Sequence, residues 1–166
     1  MICRKKVVEA VFMSVLDYGD VIYRNASITT LLPLDTVYHS ALRFITGESY
    51  STHHCTLYDR VGWSSLSERR TKHWHQFIFK AIDGKLPPYI TLLLNWRPRT
   101  RGTRSNEWLA LDIPSVRSEL GKSAFCFDAP TSWNTLQQTL KINTPISYGQ
   151  FNNLLSNLPT SICDCF

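Results

Sequence analysis

Apolar residues recur at three- and four-residue spacing through most of the first 95 positions, the mark of helices that bury one face. In residues 5–22 the stripe is Val8, Val11, Phe12, Val15, Leu16 and Ile22. A second helix is expected over 30–46, with Leu31, Leu34, Tyr38, Ala41, Leu42 and Ile45 inward. Pro33 is tolerable in its first turn, and Gly47 is placed to stop it. His53 to Val61 reads as a short helix with Leu57 and Val61 buried. The next helix is the best specified: Ser65 and Glu68 fit a capping box, the apolar face is Leu66, Trp74, Phe77, Ile78, Ala81 and Ile82, and Gly84 ends it.

After Trp96 the texture changes. The stretch 97–104 (RPRTRGTR) has little apolar content and reads as a linker or arm. Residues 109–113 (LALDI) and 123–127 (SAFCF) alternate as two short strands would, joined by a hairpin-like connection over 114–122. Thr131 to Leu140 and Ser147 to Leu158 close the chain as short helices. The expected fold is mainly α: a helical body of four to five helices over 1–95, a basic arm over 96–108, and a small α+β annex over 109–166 containing a two-stranded hairpin.

Composition narrows the function classes. The chain has 166 residues, 43% hydrophobic and 19% charged, which excludes an intrinsically disordered protein. No apolar run approaches the ~20 residues of a membrane span, and the N-terminus lacks a signal-peptide core, so the expectation is an intracellular protein, nuclear or cytoplasmic, and not secreted. The net charge of +5 has one focus. Residues 1–95 carry 11 basic and 8 acidic groups and 105–166 carry 3 and 5, whereas 97–104 holds four arginines and no acid. Such a focus attracts polyanions through counterion release. Arg97, Arg99, Arg101 and Arg104, flanked by Trp96 and Trp108, can grip phosphates, and indoles can stack on unpaired bases. Arg69 and Lys72 are weaker candidates for phosphate contact.

Other chemistry is thin. Asp17 and Asp20 invite comparison with polymerase metal-binding aspartates, but they follow a helix and no strand precedes them. Gly121-Lys122-Ser123 echoes a phosphate-binding loop, yet Val116 stands where its first glycine belongs. The five cysteines are irregularly spaced, so a disulfide framework is not expected. His53, His54, Cys55, His73 and His75 are the cluster with metal-ligand chemistry, and they leave a small zinc protein as an alternative. His73 and His75 stand about 200° apart on a helix and cannot both face one ion. Cys163 and Cys165 sit at the terminus. No cofactor is expected.

Read in order, several segments resemble the region beyond the polymerase palm in LINE-type non-LTR retrotransposon reverse transcriptases. They are the stretch 15–20 (VLDYGD), the helix over 34–47 ending in Arg43-Phe44-Ile45-Thr46-Gly47, and His54 to Trp63 followed by Ser67-Glu68-Arg69-Arg70. They continue with 79–89 (FKAIDGKLPPY), Thr103-Arg104-Ser105, Leu111-Asp112-Ile113-Pro114, and Gly121 to Phe125 running on to 129–136 (APTSWNTL). The order covers roughly residues 10–158. The resemblance implies the thumb and post-thumb portion, with the catalytic aspartates upstream and none here. It implies contact with RNA or an RNA–DNA hybrid, and no enzyme activity from this piece alone. A non-enzymatic interaction module is the competing reading: cut off from a palm domain, the helical body should expose an apolar face from Val7, Val11 and Ile22, favouring self-association or another partner.

Overall fold

The computed structural model describes residues 2–97 and 109–158. In chain order the helices are α1 (Ile2–Val7), a π-helical turn (Val8–Met13), α2 (Ser14–Leu16), α3 (Asp20–Tyr23), α4 (Ile28–Thr46), α5 (His54–Val61), α6 (Leu66–Ile82), α7 (Pro88–Thr91), α8 (Glu119–Lys122), α9 (Phe125–Leu140) and α10 (Tyr148–Ser156). The mainly helical architecture is as the periodicity predicts. None of these helices is long and apolar enough to cross a membrane.

Two compact units divide the chain, one containing residues up to His73 and the other Trp74–Leu158. The division falls inside α6 rather than at the change of texture near residue 96. Sequence chemistry explains the placement: the second half of α6 carries Trp74, Phe77 and Phe79, whose rings pack against Phe125, Trp133, Tyr148 and Phe151.

The first unit buries Val8, Met13, Leu16, Tyr38, Ala41, Leu42, Ile45, Leu57, Val61 and Leu66, with Phe12, Leu34, Tyr58 and Trp63 packed on them. Ser27 starts α4 by accepting from the Thr30 N–H at 3.3 Å, and Gly47 ends it at φ 75°. The helix therefore begins two residues earlier than expected. Pro33 falls in its second turn, with no N–H to offer the Thr29 carbonyl. Ser65 and Glu68 form the expected reciprocal cap at 3.2 and 3.3 Å.

The first helical stretch departs from the expected continuous helix over 5–22. A π turn accommodates one more residue per turn, which rotates the buried face by one position. Met13 is consequently buried while Val11 and Val15 face solvent. Gly19, at φ 70°, then breaks the helix before α3, and Ile22 is left 88% exposed.

The expected hairpin over 109–113 and 123–127 is absent from the described residues. Residues 123–127 run into the start of α9, where Asp128 N–H bonds the Ala124 carbonyl at 2.9 Å. The alternating Ala124, Phe125, Cys126, Phe127 pattern is too short to separate a strand from a first helical turn. Residues 109–112 form no strand with 123–127; their backbone bonds the main chain of Asn95, Arg97 and Ile142 and, as often, side chains of α9. Trp133 Nε1 donates to the Leu109 carbonyl at 2.7 Å, and the Asn134 carboxamide bonds both backbone groups of Leu111 at 2.8 Å. One antiparallel bridge joins Leu111 to Trp96.

Candidate functional site

The basic stretch leaves and rejoins the described backbone at one place. Asp112 N–H donates to the Asn95 carbonyl at 2.8 Å, Trp96 bridges Leu111, and Arg97 N–H donates to the Ala110 carbonyl at 3.0 Å. Residues 98–108 therefore connect two points held side by side. Arg97 lies at this stem with its side chain exposed. Arg99, Arg101, Arg104 and Trp108 lie outside the described residues. Trp96 is 49% exposed, so it is not a buried anchor of the stem.

The other two basic candidates sit on α6. Arg69 is committed to an acid: its Nε donates to Asp17 Oδ1 at 2.7 Å and its Nη2 to Asp17 Oδ2 at 2.5 Å. This two-pronged pairing occupies the fork that would grip a phosphate, and the hydrogen bonds to Asp17 hold the guanidinium's pKa above its ordinary value. Lys72 is half-buried.

Asp20, 3% exposed, is likewise engaged, with its Oδ2 2.5 Å from His73 Nδ1. Tyr23 OH donates to the Leu16 carbonyl, closing the turn between α2 and α3. Ligand atoms of Asp17, Asp20 and His73 lie within 4.8 Å of one another. A cation already fills the opening of that group, since Arg69 holds both oxygens of Asp17. The acids are thus used to fasten the first helical stretch to α6.

A second group gathers at the start of α5. Ligand atoms of His53, His54 and Cys55 also lie within 4.8 Å of one another. His53 caps the helix, its Nδ1 accepting from the Cys55 N–H at 3.4 Å. The His54 ring lies 5.1 Å from that of His39 and 18° from parallel. His39 Nε2 is in turn 2.6 Å from Tyr58 OH. Burial lowers the pKa of both His39 and His54, and neighbouring cationic groups lower them further, His54 first for His39 and His53 first for His54. His73 and His75, grouped with these three by composition, do not join them. Cys163 and Cys165 lie outside the described residues. The part of His39 was not legible in the sequence, because only the α4–α5 pairing brings a residue 14 positions upstream against His53 and His54.

Lys122 of the rejected phosphate-loop sequence sits on the four-residue α8 and pairs with Glu119 at 2.6 Å. Compared with known proteins, the chain matches no family model, no curated protein and no solved structure.

Proposed function

We propose that this chain is a nucleic-acid-contacting helical module without a reaction of its own, corresponding to the thumb and post-thumb portion of a LINE-type non-LTR retrotransposon reverse transcriptase. The family reading is supported by the ordered sequence motifs from Leu16-Asp17-Tyr18 to Trp133-Asn134. The contact reading is carried by the concentration of Arg97, Arg99, Arg101 and Arg104 in the sequence, of which Arg97 stands exposed at the stem that Asn95, Trp96 and Arg97 form against Ala110, Leu111 and Asp112. Four guanidiniums so concentrated bind phosphate without regard to base identity. The two aspartates that invite a polymerase comparison are occupied by Arg69 and His73, consistent with a structural part for them.

The test is the affinity for a fluorescent single-stranded RNA and for an RNA–DNA hybrid across a salt series. Four phosphate contacts give a log–log slope of about −3 on a single strand. Replacing Arg97, Arg99, Arg101 and Arg104 together with Ser should flatten it. A slope near zero, or a slope unchanged in that variant, overturns the reading.

A second reading is favoured by a separate observation. Val7, Val11, Val15 and Ile22 are all more than half exposed along the first helical segments, the apolar face expected of an interaction module. Self-association in sedimentation, abolished by Val11→Lys and Val15→Lys and indifferent to salt, would support it over nucleic-acid contact.

A further inference from the structure

We propose that His53, His54 and Cys55, at the start of α5, form a zinc site whose geometry is set by His39. The three ligand atoms already lie within 4.8 Å of one another. Ligands around a tetrahedral zinc sit about 3.3–3.8 Å apart, given bonds of about 2.0–2.3 Å, so rotation of side chains by roughly an ångström closes the set. Two imidazoles and a thiolate make a borderline-to-soft donor set, which suits zinc and not the oxygen-seeking magnesium or calcium. Three protein ligands leave the fourth position to water. His53 is exposed and the other two half-buried, so the ion enters from solvent.

His39 is a positioning residue. Its ring stacks on His54 and its Nε2 is fixed by Tyr58 OH, so the plane of the His54 imidazole is set before an ion arrives. Arg43 is the cation nearby, and its guanidinium lies 4.9 Å over the Tyr50 ring, with Nη2 3.5 Å from the Thr52 carbonyl. The Cys55 thiolate supplies the negative charge that offsets it. The other donor group, Asp17, Asp20 and His73, is the poorer candidate because Arg69 already satisfies Asp17.

Binding changes the helix start. If the ion takes His53 Nδ1, the 3.4 Å contact with the Cys55 N–H ends. If it takes Nε2, the ring proton resides on Nδ1, which then no longer accepts. Either way the ion replaces the imidazole cap. As the sulfur–zinc bond forms, the Cys55 thiol gives its proton to water, and no electron changes hands.

The experiment titrates the full chain, under reducing conditions, with Co²⁺ as a spectroscopic probe and then displaces it with Zn²⁺. One Co²⁺ per chain is expected, with a thiolate-to-cobalt charge-transfer band that Zn²⁺ removes. Cys55→Ser should abolish the band. His53→Asn, which keeps an oxygen to cap α5, should weaken binding by at least about tenfold while circular dichroism stays unchanged. The Cys163→Ser, Cys165→Ser double variant should retain the band. Absence of the band, its survival in Cys55→Ser, full affinity in His53→Asn, or its loss with the terminal cysteines overturns the site. RNA affinity is read separately and bears only on the arginine segment.

Discussion

The side chain of Asn134 bonds both the N–H and the carbonyl of Leu111, each at 2.8 Å, and so stands in for a neighbouring strand. Leu111 itself is buried. An extended segment with a covered apolar side chain and no sheet of its own must find backbone partners elsewhere. Asn134→Leu should lower stability by about 2–3 kcal/mol, because two backbone groups lose their partner at once. Asn134→Asp, which keeps only the acceptor, should fall between wild type and Leu. Urea unfolding of the three proteins gives the order.

The Arg69–Asp17 pairing predicts a separation of stability from binding. Arg69→Ala should cost about 1–2 kcal/mol, and Arg69→Lys roughly half of that, because a single ammonium cannot reproduce the two-pronged bond. The salt slope of RNA binding should be the same in both variants as in wild type. A slope that falls by about one unit in Arg69→Ala would instead place this guanidinium on the nucleic acid.

The π turn makes a sharper prediction, since it decides which residues face inward. Met13 is buried and Val15 exposed, whereas a regular helix sharing the Val8–Val11–Val15 stripe would bury Val15. Met13→Ala should therefore destabilise by about 2–5 kcal/mol. Val15→Lys should stay within about 0.5 kcal/mol of wild type. Thermal unfolding of the pair distinguishes the two registers.

Stability should also respond to pH through His39. Burial lowers its pKa in the folded protein, so between that lowered value and the unfolded value of about 6.5 the unfolded chain binds more protons. The contribution is complete above about pH 6.5 and is lost as the pH falls below it. His39→Gln, which can still bond Tyr58 OH, should flatten that part of the curve. An unaltered difference in unfolding free energy between pH 7.5 and pH 5 would contradict the assignment.

Helix existence was legible where the apolar period was long and its caps were chemical. Gly47, the Ser65–Glu68 box and the buried set Tyr38, Ala41, Leu42 and Ile45 all follow from local rules. The π turn was not legible, because no residue type marks it and its effect is a one-position rotation of a stripe that still reads as periodic. The hairpin failed for a related reason: five alternating residues at 123–127 equally suit a first helical turn, and 109–112 bond instead to the backbone of Asn95, Arg97 and Ile142 and to the polar tips of Trp133 and Asn134 on α9. The sequence displays the charge of Arg69 but not its partner Asp17, 52 positions away. The tripling of donors at 53–55 was visible as adjacency, whereas the stack of His39 on His54 depends on how α4 meets α5.

The stem at Arg97 and Ala110 has a practical meaning for engineering. Points one hydrogen bond apart can be spanned by a two-residue turn, and lengthening the connection costs only slowly with residue number. A variant in which such a two-residue turn joins Arg97 to Leu109 therefore reads, as its urea midpoint, how much of the helices' stability the stem itself secures.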